Sequence, residues 1–264
     1  MFNAFEQLVA FRYLRAKRQE GFISVIAWFS LLGIALGVAA LIIVMAVMNG
    51  FRHELLSSLL GFNGHISVST YERSFTDYDK LATRVLAVDG VKAVSPMIEG
   101  QVMVSANGVA NGAVVRGVRG ADFERRELLR NALKAGSIEA FKDGRGIFIG
   151  QRMANNMGLR LGSEITLISP KGSVTAFGTV PRMKTYEIVG IFDVGMYEYD
   201  SSFVFMPLAL AQKYFKHPDA VNKIEVFIDD PDAARAMSYR IRGDLGTDIR
   251  AIDWQIIHST FFTA

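Results

Sequence analysis

The chain contains no cysteine, so no disulfide braces it and no thiol is on hand as a nucleophile or metal ligand. That fits a compartment in which stray thiols would oxidise. Histidine is scarce: His53, His65, His217 and His258 are scattered without ligand spacing, and each reads as a surface or packing residue. No Gly-x-x-x-x-Gly-Lys-Ser/Thr loop occurs, which removes a phosphate-cradling nucleotide site. With no catalytic constellation the chain reads as a non-enzyme without cofactor or metal. Excess charge is missing too. The first twenty residues hold four Lys/Arg and two Asp/Glu, and subtracting them from totals of 29 and 26 leaves 25 basic and 24 acidic residues. A segment so nearly neutral offers phosphates no basic stripe, which excludes a nucleic-acid partner despite a pI of 9.1.

The most telling absence is local. From Gly21 to Gly50 there is no charged residue, and the 27 positions Phe22 to Met48 read FISVIAWFSLLGIALGVAALIIVMAVM. As a helix rising about 1.5 Å per residue this run reaches roughly 40 Å, more than the roughly 30 Å hydrocarbon core of a bilayer. A signal peptide is the competing reading. Its apolar region would run only about 7 to 15 residues and end at a small-x-small site, whereas this one leaves through Met45-Ala46-Val47-Met48-Asn49-Gly50. An uncleaved membrane anchor follows. Arg12, Arg15, Lys17 and Arg18 precede it and only Arg52 follows closely, so the N-terminus is expected in the cytoplasm and the rest beyond Asn49 on the far side.

Ahead of the span, Phe2, Phe5, Leu8, Val9 and Arg12 fall at helical spacing and predict an amphipathic surface helix over 1–20, with a frayed basic tail as the alternative. Within the span, Ser30, Gly33, Gly37 and Ala40 line up at three- and four-residue intervals, a face on which another membrane helix can approach closely. Beyond it strands and helices alternate. His65–Thr70, Val91–Ile98, Lys223–Asp229 and Asp248–Asp253 read as strands, and Tyr78–Val88 and Asp232–Leu245 as helices. The pattern predicts an α+β fold: a split subdomain, with halves at 51–120 and 216–264, around an inserted β-rich subdomain at 121–215. In the insertion, a charged helix is expected from Ala121 to Lys134 and a short one from Gln151 to Met157. Strands Glu164–Ser169 and Thr185–Phe192 would flank a connector with prolines at both ends. Pro170 and Pro181 deny ladder hydrogen bonds, so 169–181 should stand out as an arm. Val174, Phe177 and Val180 are apolar residues on it that no local core buries, which points to a partner, an ordinary surface hairpin being the alternative.

The run Ile26 to Phe51, the segment Leu60-Gly-Phe-Asn-Gly-His65-Ile and Arg12-Tyr-Leu-Arg-Ala-Lys-Arg18 together resemble the membrane subunit of bacterial lipoprotein-releasing ABC transporters, the LolC/LolE family of the FtsX/MacB-like permease superfamily. The resemblance is close over the first seventy residues and continues in strand order to Trp254. It implies a MacB-like periplasmic domain after the first of four membrane helices, in the inner membrane of a Gram-negative cell. It also implies a separate cytoplasmic ABC ATPase (LolD-like), a second membrane subunit or second copy, a lipoprotein substrate and contact with membrane lipid. The run from Gln255 would then lead toward a second membrane helix, making this chain a fragment.

In that family one subunit captures the chaperone LolA with a periplasmic hook, and the matching stretch is Ser169–Pro181. Pro170, Val174, Phe177, Val180 and Pro181 are the residues implied in docking. The stretch departs from the family pattern in being slightly shorter and in having Phe177 in place of Met. Met45, Met48 and Phe51, three residues apart at the far end of the span, are candidates for acyl contact, with simple lipid or helix packing as the alternative reading. Two rival functions remain: a regulatory membrane subunit that moves no lipid, like division-associated relatives, and a single-pass anchored binding module. The first needs no chaperone arm, and the second no Gly33/Gly37 face.

Overall fold

A computed structural model describes residues 4–15, 21–70, 74–175, 178–246, 249–257 and 259. The chain divides into two compact units, Met1–Leu55 and Leu56–Ala264. The first holds helix α1 (Ala4–Arg15) and most of α2 (Gly21–Phe62). In α2, Val25–Gly50 is long and apolar enough to cross a membrane, and every side chain from Val25 to Gly50 is exposed. An apolar surface with no protein over it belongs in lipid. The helix outruns its apolar stretch, continuing without a break to Phe62.

In the second unit the strands are β1 (Ile66–Thr70), β2 (Val91–Ala106), β3 (Val109–Val118), β4 (Leu133–Gly136), β5 (Ile147–Gly150), β6 (Glu164–Thr175), β7 (Gly178–Phe192), β8 (Phe203–Pro207), β9 (Lys223–Ile228) and β10 (Ile249–Asp253). They pair in the order β10-β1-β9-β2-β3-β8-β5-β7-β4, with β6 joining β2 to β7. Strand β2 links the two halves of that order. Val91–Met97 pairs with β9, and Ile98–Ala106 pairs with β3 through the Asn107-Gly108 turn, whose residues have φ of 51° and 77°. Two successive positive φ angles give the type I′ geometry that matches strand twist. The sequence pattern ends one strand at Ile98 and reads Gln101–Gly108 with Val109–Val118 as a separate hairpin. The strand instead runs through, and Gly100 lies where a Cβ would fall 2.4 Å from Phe215 Cε1, so that glycine clears space for a ring.

Helices α3 (Tyr78–Leu86) and α10 (Ala234–Leu245) bury Val85, Ala234, Met237 and Ile241 with Ile66, Val68, Ile224 and Val226 of the strands. Around the other strands lie α4 (Gly120–Arg125), α5 (Glu127–Ala132), α6 (Ile138–Lys142), α7 (Gln151–Met157), α8 (Tyr197–Ser202) and α9 (Leu208–Phe215), with α11 (Trp254–Ile257) following β10. A second core is dominated by rings: Phe62, Phe123, Phe141, Phe148, Phe192 and Phe205. Phe62 sits in it, so the last two turns of α2 are part of this unit's interior.

The single charged helix expected over 121–134 is two short helices. Arg126 between them is extended, with φ −80° and ψ 102°. Its side chain is buried, and the backbone turns out of the helix to send it inward. The residues after Ala132 then join the sheet as β4, beside β7.

Candidate functional site

Two features combine chemistry with position. The first is the β6–β7 hairpin. The strands pair from Glu164↔Glu187 to Ser169↔Arg182, lose register, and pair again at Ser173↔Val180, Val174↔Thr179 and Thr175↔Gly178. The interruption holds Pro170 and Pro181, both exposed, and proline has no N–H to give a ladder. Beyond it, among the described residues, the two strands of the hairpin pair with each other. Val180 is 55% exposed. Val174 is placed by its register alone, and Phe177 lies outside the described residues. Arg182 Nη1 donates to Tyr214 O of α9, tying the arm's base to the sheet. Beside that base a groove of about 620 Å³ is lined by Gln101, Met103, Val114, Ile168, Pro170 and Pro181, none of them charged.

The second feature surrounds Gly61-Phe62-Asn63-Gly64-His65, where α2 ends. Asn63 Oδ1 accepts from Arg116 Nη2 at 2.7 Å, and Asn63 Nδ2 donates to Tyr199 Oη at 2.6 Å. Arg126 Nη1 donates to Phe62 O, capping the helix end at 3.3 Å. Arg126 Nη2 lies 2.7 Å from Glu225 Oε2, Arg116 Nη1 3.7 Å from Glu225 Oε1, and Arg116 Nε donates to Glu99 Oε2 at 2.9 Å. Lys223 Nζ closes the network at 3.1 Å from Glu99 Oε1. Arg116 also rests against the Phe62 and Phe203 rings, 5.1 and 4.8 Å from their centroids. Arg116, Arg126 and Glu225 are all buried. Burial pushes the Glu225 carboxyl up, but Arg126, Arg116 and Lys223 outweigh it and hold it down to about 2. Glu99 moves the same way, burial being overcome by Arg116 and Lys223. A Cβ on Gly64 would fall 2.8 Å from that of Glu225, so the glycine lets the two chains close. His65 Nδ1 accepts from Ile228 N at 3.1 Å, and burial, then the Lys92 charge, lower its pKa.

The sequence reading singled out Asn63, Gly64 and His65 as a motif and missed Arg116, Glu225 and Arg126. A signal was there: Val114-Val-Arg-Gly-Val118 and Ile224-Glu-Val-Phe-Ile228 each put one charge inside an apolar strand, and a charge in that place needs a partner. Ser30, Gly33, Gly37 and Ala40 are exposed along α2, and a Cβ on either glycine would meet nothing within 4 Å. Met45 and Met48 are 58% and 61% exposed; Phe51 continues the helix. Among the described residues no group of three or more His, Cys, Asp or Glu side chains is placed to hold a metal.

Comparison with known proteins gives these features a family. The chain is 31% identical over 261 residues to the lipoprotein-releasing system transmembrane protein LolC of Neisseria meningitidis, covering 98% of this chain and 63% of that protein. To LolC of Xylella fastidiosa (strain 9a5c) it is 32% identical over 248 residues, 92% of this chain and 60% of the other. To the transmembrane protein LolE of Haemophilus influenzae it is 25% identical over 251 residues, covering 93% and 60%. The chain thus spans less than two thirds of each relative. The pattern of the MacB-like periplasmic core domain matches residues 27–243, most of the chain, from the apolar helix to α10, and the chain belongs to that family.

Proposed function

We propose that this chain is the N-terminal part of a membrane subunit of a lipoprotein-releasing ABC transporter, one that helps extract lipoproteins from the inner membrane and presents them to a periplasmic chaperone. The observation that carries the reading is the β6–β7 arm, a proline-flanked hairpin with exposed Val180, in a chain similar to LolC over 98% of its length. The basic flank before the span supports a cytoplasmic N-terminus and a periplasmic main unit. Residues 51–120 and 216–264 are the halves of its α+β subdomain and 121–215 the insertion.

The physical task is severe. Three acyl chains of about a dozen CH₂ groups each lose on the order of 30 kcal/mol on entering water, at about 0.8 kcal/mol per CH₂. Spontaneous release is negligible, so the chains must pass from an apolar site between membrane helices to an apolar chaperone pocket. Met45, Met48 and Phe51 are the acyl contacts on this reading, Ser30, Gly33, Gly37 and Ala40 the packing face for a further membrane helix, and a LolD-like ATPase supplies the work. The arm docks a LolA-like chaperone through Pro170, Val174, Phe177, Val180 and Pro181, with Phe177 as its anchor. Gly33→Leu with Gly37→Leu should block close helix approach and lower recovery of the complex with its ATPase, without affecting membrane insertion.

A regulatory subunit that moves no lipid is the second reading, one that would need no chaperone arm. The deciding experiment is lipoprotein release from proteoliposomes holding the complete transporter. ATP- and chaperone-dependent release supports the first reading. ATPase activity without release, whatever the chaperone concentration, would favour the second.

A further inference from the structure

Between β7 and α8 the chain makes a short loop, Asp193-Val-Gly-Met196, bridged by a buried carboxyl group. Asp200, on α8, is fully buried. Its Oδ1 accepts from Val194 N at 2.8 Å, across the mouth of the loop, while Asp193 Oδ1 accepts from Gly195 N at 3.1 Å. Asp200 Oδ2 has no hydrogen-bond partner, and the Asp193 carboxylate is its neighbour. The packing behind it is backbone on backbone, since a Cβ on Gly150 would fall 2.2 Å from Asp200 O. The next residue along, Tyr199, places its ring 3.9 Å from that of Phe62 and accepts from Asn63 at 2.6 Å.

Among the described residues of the elements packed on α8, no cation is paired with the two carboxylates. Of the elements packed on α8, β5 and β8 carry no ionisable residue. Helix α7 contributes Arg152, seated 5.0 Å over the Tyr197 ring, and β3 contributes Arg116, engaged by Glu99 and Asn63. The remaining charge on α8, Glu198, is negative and exposed. The backbone N–H groups of Val194 and Gly195 point at the carboxylates, so the loop is built for anions and a metal ion would face the wrong dipoles.

We propose that Asp193 and Asp200 share one proton, carried on Asp200 Oδ2 and donated to the Asp193 carboxylate, and that this proton latches α8 so that Tyr199 stays braced against the end of α2. When the proton leaves to solvent, two adjacent negative charges remain, one of them buried, and the latch weakens. The direction of titration agrees: burial, reinforced by Asp193 and opposed by the Val194 N–H, pushes the Asp200 carboxyl up to about 6. An acid whose folded pKa is raised favours the fold at low pH. The latch is therefore fully set below the ordinary carboxyl range near 3.8 and is lost as pH rises through about 6. A domain exposed to an outer compartment meets that range, and the latch makes the brace under α2 respond to it. The inference stands apart from any transport activity.

Hydrogen exchange of the full chain in detergent, corrected for the intrinsic pH dependence of exchange, reads the latch directly. Amides of 197–203 should lose about tenfold in protection between pH 5 and pH 7.5, the equivalent of one pKa unit of differential stability. Asp200→Asn should remove the pH dependence. Asp193→Asn, which deletes the repelling charge, should move the midpoint to lower pH and serves if the first variant does not fold. Protection independent of pH in the wild type, the same pH profile in Asp200→Asn, or an unmoved midpoint in Asp193→Asn would each overturn the latch.

Discussion

The foot of helix α2 and the β6–β7 arm depart from the ordinary distribution of residues in opposite directions. At the foot, charged groups that belong in water are buried: Arg116, Arg126 and Glu225 are enclosed and ion-paired, the arginines donating hydrogen bonds to Glu99, Asn63 and Phe62 O. On the arm, apolar groups that belong inside are out: Val180 is more than half exposed and both flanking prolines face solvent. A buried polar group and an exposed apolar one are the two informative exceptions in a folded surface. Their costs fall differently. The foot has its partners within the chain, so its worth is in the fold. The arm's exposed Val180 adds nothing to the core, and the proposed function gives it a worth in binding.

If that contrast is right, the largest effect belongs to the arm and leaves stability untouched. Replacing Lys171 to Val180 with a Gly-Ser linker, or Phe177→Ala alone, should reduce capture of a LolA-like chaperone to background in co-purification, with an unchanged thermal transition. Undiminished capture would break the comparison on its functional side, and loss of folding would show the segment to be core. Next in size, Glu225→Ala strands two buried guanidinium groups and should cost about 3–5 kcal/mol in urea unfolding, the range for breaking one partner of a buried ion pair. A cost under about 1 kcal/mol, the value of an exposed pair, would place the cluster with surface charges.

Acid provides a graded test of the foot. The depressed carboxyl of Glu225 contributes stability that is complete above its ordinary value of 4.5 and is lost as pH falls toward about 2. His65 adds an earlier step: its lowered pKa favours the neutral ring, so its contribution begins to go as pH falls below 6.5. Chemical denaturation at a series of pH values should show stability falling on the acid side, with the steeper loss below 4.5 absent from Glu225→Gln; an identical profile in that variant would remove Glu225 from the account. The smallest effect is Val180→Ser, expected to alter stability by no more than about 0.5 kcal/mol, as for surface substitutions away from packed features. A larger cost would mean that the arm rests on something.

Much of this was legible in the sequence because the signals were local. The apolar run of α2 needs only its length, the short helix Gln151–Met157 stands between a strand and a glycine at φ +63°, and the Asn107-Gly108 hairpin is written in its turn residues. The failures share a different cause. Arg126 breaks the helix predicted over 121–134 because its partner is Glu225, ninety-nine residues away in the chain. Strand β8 and helices α8 and α9 went unread because 197–215 carries aromatic, acidic and apolar residues in no clean period, its burial being set by β3, β5 and Asp200's loop. The candidate arm was legible from its prolines. The charge network was present as isolated charges, but pairing them required the fold.

Strand β7 carries one consequence further. Its fifteen residues, Gly178–Phe192, are a single strand whose first residues, 178–181, form one side of the arm, whose middle pairs with β6 and whose end is clamped between β5 and β4. Mechanically it is a cantilever rooted in the sheet. A pull along it loads the root's hydrogen bonds together in shear, whereas a sideways push is met only by the free hairpin, which parts one rung at a time. The arm is therefore stiff to traction and soft to deflection.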